Sequence, residues 1–407
     1  MTSILKVDSI LSDTTPTVTI SDGLSVTGIM TAVTDIASDS DGNTKIGTSA
    51  LNSLTSGQGS YNSGMGKDAL TACTTGDNNT SVGRSSLKAN TTGSQNAAFG
   101  QGALESNTTA DSNTAIGNAT LQANTTGHSN TAVGRSALIA NTTASYNVAV
   151  GMYALDANTT GAENTGLGYG SLSSNTTAVN NTAVGSNALN GCTTGGNNTA
   201  VGKDALKMLS TGAQNVAFGN YALDANTTAN YNTAVGEQSL SANTTGHSNT
   251  GLGRAALQAN TTSNYNTAAG YNSLAVNTTG ASNTAVGAFA LDANTTASNN
   301  TAIGYNALTA NTTGARNVAV GFEVLQTQTT GNDNTALGSG ALNANQTGSN
   351  NTAVGRNALV ATTTGAANVA VGRLALDANT TGGENTAVGN QALGGNTTAS
   401  YNNAFGT

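Results

Sequence analysis

Glycine returns every 17 residues along most of this chain. From Gly66, steps of 17 land on Gly83, Gly100, Gly117 and onward to Gly389 and Gly406, twenty steps without an insertion or deletion. Three other positions are equally fixed. Leu stands four residues after each glycine (Leu70, Leu87, through Leu393), Thr nine after (Thr75, Thr92, through Thr398) and Asn four before (Asn62, Asn79, through Asn402). The unit reads Asn-Thr-Ala-Val-Gly-x-x-Ala-Leu-x-Ala-Asn-Thr-Thr-Gly-x-x. A disordered, neutral low-complexity tract has no reason to hold Leu at one phase. Stacking does, because each unit must set the same side chain above its neighbour's.

A unit this short cannot hold a helix pair, and Gly, Asn and Thr are poor helix formers. Two short extended runs fit between the fixed points: Thr-Ala-Val before the glycine and Ala-Leu-x-Ala after it. Gly and Asn at fixed points suit turns of positive φ. The expected fold is all-β: a parallel β-solenoid of about twenty 17-residue coils, roughly 95 Å long at one strand spacing per coil.

Composition agrees. The 407 residues include one Pro, no Trp, 8% charged residues and 4% aromatics, too few aromatics to pack a large globular core. A net charge of −8 disfavours a nucleic-acid partner, which needs a basic footprint. No run of about 18 apolar residues offers a membrane span. Lys6 and Asp8 interrupt the first apolar stretch, so no secretory signal is expected, nor, with Gly406-Thr407 at the end, a hydrophobic anchor. Three regions follow. Residues 1–45, rich in Ser, Thr and Asp and holding Pro16, read as an attachment or capping segment. Residues 46–65 form an irregular first coil, Gly47 and Gly66 being 19 apart, and residues 66–407 the regular stack.

From Gly66 onward every Asp, Glu, Lys, Arg and His falls one, two, five, eleven or twelve residues after a repeat glycine, so these five positions are expected to face water. Along Asn-Thr-Ala-Val-Gly, alternation sends Thr and Val one way and Asn, Ala and Gly the other. The Val position holds Val133, Ile303, Leu252, Phe218 or Ala269, which assigns that face to the core. The opposite face is also free of charge and nearly always Ala or Gly at its centre (Ala132, Gly166). A strand uncharged on both faces is usually covered on both, so the small-residue face is expected to pack against another chain.

The motif resembles the head repeat of trimeric autotransporter adhesins, the YadA-like family, whose coils carry an Asn-Ser-Val-Ala-Ile-Gly-x-x-Ala motif. The matching stretches include Asn113-Thr-Ala-Ile-Gly117, Asn147-Val-Ala-Val-Gly151 and Asn317-Val-Ala-Val-Gly321, and the likeness spans residues 62–407. The resemblance implies a left-handed parallel β-roll and a homotrimer with the motif strand lining the three-fold axis. This chain departs from the family in its longer coil, and neither a secretion signal nor a C-terminal barrel is expected in it, which favours a virion fibre. Ile4-Leu-Lys-Val-Asp8 and Gly23-Leu-Ser-Val-Thr-Gly-Ile29 also resemble segments near the start of phage tail-fibre proteins.

Chemistry-bearing residues are few. Cys73 and Cys192 share one repeat position seven coils apart, on the order of 34 Å, too far for an intramolecular disulfide. They read as small, partly buried residues, with an interchain bridge as the alternative. The Asn-Thr-Thr triplets match a glycosylation pattern but read as turn chemistry. Asp39-Ser-Asp-Gly-Asn43 lacks the distal glutamate of a calcium loop and reads as a turn. His128 and His247 have no neighbouring ligand cluster, so no metal or cofactor is expected. Nor is there a nucleophile with an oriented base or a convergent carboxylate pair, so no enzyme is expected. All ten tyrosines occupy charge-bearing positions. Tyr153, Tyr169, Tyr221, Tyr271 and Tyr305, on the corner after the glycine, are candidate receptor or glycan contacts. The paired threonines raise an ice-binding solenoid, but only one of each pair can face outward, and the invariant ninth-position Thr is expected inside, in a hydrogen-bonded ladder.

The sequence thus leads to a non-enzymatic homotrimeric fibre of a virion, such as a phage tail or receptor-binding fibre. Residues 1–45 would meet other virion proteins, and a host-surface glycan would be the target. The alternative is a cell-surface adhesin or an extracellular filament joined end to end.

Overall fold

The computed structural model describes residues 36–406. Most of the expected attachment segment, including both stretches that resemble tail fibres, lies outside the described residues. The first strand, β1 (Ile36–Ser38), runs antiparallel to β2 (Thr44–Ile46). Strand β3 (Ser63–Met65) follows, and three-residue strands then recur at 17-residue intervals to β23 (Asn403–Phe405). From β2 onward every strand pairs in parallel with the next. The register is unshifted, as in Thr182↔Thr199, Ala183↔Ala200 and Val184↔Val201. The described chain is therefore an all-β parallel solenoid of about 21 coils, with no helix among the described residues.

Each coil has one strand, not two. The Ala-Leu-x-Ala run expected to be extended is a series of turns instead. Its Leu has a left-handed backbone, with φ of 50° at Leu70 and 51° at Leu189. A side chain there costs roughly 1–2 kcal/mol, and burying the leucine, about 1.5–3 kcal/mol, offsets it. The residue two after the glycine and the one twelve after also have positive φ, as at Asn187 and Asn180. The fixed Asn does not, so its invariance has another cause.

The repeat glycine is fixed by two demands at once. Gly219 has φ 138°, and a Cβ on it would lie 2.6 Å from the carbonyl carbon of Gly236 in the next coil. No side chain can sit between coils at that corner.

The interior is narrow. It holds the stacked Leu rank, the Ala or Gly at the strand centre, the Ala or Ser before each Leu, and two columns of asparagine. In one column, Asn130 receives Asn113 Oδ1 at its backbone N–H (3.0 Å), while its Nδ2 donates to that oxygen (3.1 Å) and to the carbonyl of Ala144 (2.9 Å). In the other, seven after the glycine, Asn124 Nδ2 donates to Asn107 Oδ1 (2.9 Å) and to the carbonyl of Gly127 (2.8 Å). Buried amides are stable only when paired, and a column lets each serve the coils beside it. This accounts for the fixed Asn.

Two assignments of side are reversed. The strand-centre Ala faces inward: Ala132, Ala149 and Ala302 are fully buried. Thr and Val face outward, with Phe218 and Leu252 exposed. Packing explains it. At Gly166 a Cβ would lie 3.0 Å from Ser171 Oγ and 3.5 Å from Leu155 Cδ1, so only a small residue, Gly, Ala or the Ser81 of β4, fits opposite the leucine. The threonine pair is reversed as well. Thr142, at position eight, donates its hydroxyl to the carbonyl of Thr159 (3.1 Å) and is half-buried, while Thr143, at position nine, is exposed. One threonine of each pair faces out, as alternation requires, but it is the invariant one.

Strand β1 covers the free edge of β2, a common way to blunt an exposed edge. The turn between them is Asp39–Asn43. Asp39 Oδ1 accepts the N–H of Asn43 (2.9 Å) and Oδ2 accepts its side-chain amide (3.0 Å). These bonds, the backbone one foremost, lower the Asp39 pKa.

Candidate functional site

Among the described residues no three His, Cys, Asp or Glu gather as a metal site would need. Cys73 and Cys192 are both free and fully buried. Burial raises both thiols, that of Cys192 to about 11, and its sulfur donates to the carbonyl of Gly195 (3.1 Å). Both stand in the second asparagine column and reach no surface where an interchain bridge could form. His128 and His247 each lie against a tyrosine of the next coil, Tyr146 and Tyr265, with edge-to-face rings 4.9 and 5.2 Å apart.

Two exposed features remain. The first is the outer face of the strand ladder. Its residue before each glycine is apolar throughout, and Phe99, Ile116, Leu167, Phe218, Leu252 and Leu337 are each 40–54% exposed. Val148, Val216 and Val318 extend the apolar surface at the strand's first residue. From Gly66 onward no charge interrupts this face.

The second is the corner just after the glycine, where the five candidate tyrosines sit. Tyr153 and Tyr169 come together, ring centroids 6.3 Å apart, with the Arg135 guanidinium 5.8 Å from the Tyr153 ring. Tyr221 meets Lys203, whose ammonium donates to its hydroxyl (3.2 Å). Lys203 and Lys207 flank Asp204, a charge expected in water that is in fact buried between coils.

Tyr271 and Tyr305 belong to a longer array. Phe289 lies between them at 5.3 and 6.1 Å, and Phe322 stacks beyond Tyr305 at 5.8 Å and 15°. Four consecutive coils thus carry four aromatic rings in line. Arg254 continues the line 5.8 Å from Tyr271 and pairs with Glu237 (3.2 Å). Phe289 and Phe322 do not share the residue type of the five tyrosines, but in register Phe322 falls 17 residues after Tyr305 and Phe289 one residue off the same rank.

A polar rank runs beside the rings, five after the glycine. Thr309 Oγ1 donates to the carbonyl of Phe289 (2.6 Å) and to Asp292 Oδ1 (3.1 Å). Burial raises the carboxyl of Asp292 despite that hydroxyl. Asn343 Nδ2 donates to Gln326 Oε1 (3.1 Å) and to the carbonyl of Glu323 (2.9 Å).

The chain is a β-solenoid by fold. It matches no family model, and no curated protein is significantly similar to it.

Proposed function

We propose that this chain is the rod of a non-enzymatic, homotrimeric fibre that carries an attachment surface away from a virion, with residues 1–45 meeting other virion proteins. One observation carries the self-association: the apolar outer face of the strand ladder. The exposed residues named above, with half-buried valines such as Val133 and Val184 between them, leave on the order of 1,000 Å² of apolar surface in water. Monomers rarely expose a contiguous patch above a few hundred Å², and a stable interface needs about 800 Å² per partner. A straight face that repeats every coil is matched along its whole length by another copy of itself. The second cover inferred from the sequence is thus retained, on the face opposite to the one expected. A left-handed coil and a three-fold arrangement are what the resemblance to adhesin head repeats implies.

Native mass by light scattering, at two concentrations, tests this. A trimer at both is expected, and a Phe218→Asp, Leu252→Asp variant should fall to monomers that keep their β-sheet signal. A wild-type protein that stays monomeric would remove the reading. Growth with concentration would instead favour a filament joined end to end.

A further inference from the structure

We propose that the corner carrying Tyr271, Phe289, Tyr305 and Phe322 is a binding track for a linear, neutral glycan that lies along the solenoid axis. The proposal rests on the attachment role above and gives that role a place and a ligand class.

Three observations bear on the choice of ligand. The rings recur once per coil at 5.3–6.1 Å, a spacing on the scale of a single sugar ring, so a chain of sugars can meet one aromatic per unit. Tyr271, Tyr305 and Phe322 are about half exposed, offering apolar surface to the C–H faces of sugars. Alongside them, Asp292, Thr309 and Gln326 form a rank of hydroxyl, amide and carboxylate groups of the kind that bonds sugar hydroxyls. Apolar faces beside fixed polar groups are what an amphipathic ring ligand requires.

The same features disfavour other occupants. The track is one side chain wide, too little for a protein partner, which needs about 800 Å². Single-stranded nucleic acid also stacks on aromatic ladders but needs a positive groove. Here Glu237, Asp292 and Glu323 flank the rings, and Arg254, the cation of the line, is already paired with Glu237. An anionic polysaccharide meets the same obstacle.

Affinity electrophoresis of the full chain tests the track, in native gels cast with hydroxyethylcellulose, mannan, dextran or amylose, and with polygalacturonate and single-stranded DNA as anionic probes. At least one neutral polymer should slow the protein, and neither anion should. A Tyr305→Ser, Phe322→Ser variant should weaken that retardation about tenfold or more, while Tyr231→Ser, away from the track, should not. Native mass should be the same for all three. Absence of retardation by every neutral polymer, or retardation that survives the double variant, would overturn the proposal. So would a change of mass in the double variant, which would assign the rings to an interface between copies. A trimer that fails to bind these polymers would leave the rod intact, so the two readings fail separately.

Discussion

Thr362 stands one coil after Asn345, in the place where an asparagine would donate to Asn345 Oδ1. Its hydroxyl donates instead to the carbonyl of Asn379 (3.0 Å), and Asn345 Oδ1 has no donor among the described residues. Asn175 before Cys192 and Asn311 before Gln328 are orphaned in the same way. Each orphan marks a break in a column that elsewhere satisfies itself.

Thr362→Asn should mend one break. The new amide would reach Asn345 Oδ1 and the carbonyl of Gly365, and would accept from Asn379. A gain of about 1 kcal/mol is expected. Hydrogen exchange reads it best, since a stacked array opens locally; slower exchange in the coils around position 362 is the expected sign, and unchanged exchange would count against the column as a source of stability.

Gly219→Ala should be severe and Gly102→Asn mild. Alanine at 219 meets the backbone of Gly236 at 2.6 Å in a strained conformation, whereas Gly102 has φ 66° and its nearest neighbour is the movable Gln122 amide at 3.3 Å. A loss above about 2 kcal/mol is expected for the first and within about 0.5 kcal/mol for the second. Denaturant midpoints compare them, and equal effects would refute the account of the repeat glycine.

Leu189→Asp places a carboxylate in the centre of the stack, where the leucine is fully buried. A cost of about 4 kcal/mol or more is expected, concentrated in neighbouring coils. New protease cleavage near position 189 would report it; unaltered melting and digestion would contradict the stacked core.

Asp156 is half-buried, and burial is the leading cause that raises its carboxyl above the usual 3.8. Its Oδ1 also has no partner among the described residues. The folded chain thus holds this proton to higher pH than the unfolded chain does. The contribution to stability is complete below 3.8 and is lost as pH rises through the raised value. Asp156→Asn should therefore raise the melting temperature at about pH 7 and lose that advantage by about pH 3. An equal gain at both would point to packing rather than charge.

Much of this was legible in the sequence. Strict spacing of Gly, Leu, Thr and Asn gave the coil length, the parallel stack and the exposed corner, and the charged positions marked most of the outer surface. What spacing could not show was which face of the strand is interior. Alternation separates Val133 from Ala132 but does not rank them, and the habit of placing larger apolar groups inside fails where Leu138 already fills a narrow lumen. The ninth-position Thr misled similarly: invariance suggested a ladder, but the ladder belongs to Thr at position eight. Asn62 and its successors suggested turns because a buried amide column leaves no mark in the sequence beyond invariance. Tyr271 and Tyr305 could be picked out singly, but their continuity through Phe289 and Phe322 depends on how adjacent coils superpose.

The unbroken 17-residue register also makes rod length a countable quantity. Slippage or unequal recombination that removes 51 nucleotides, or a multiple, deletes whole coils and rejoins both asparagine columns, the Leu rank and the outer face without a seam. Any other in-frame deletion shifts the register, so that the Gly, Leu and Asn ranks on its two sides no longer superpose. A gene of this kind can change reach in steps of about 4.8 Å while every surviving coil keeps its neighbours.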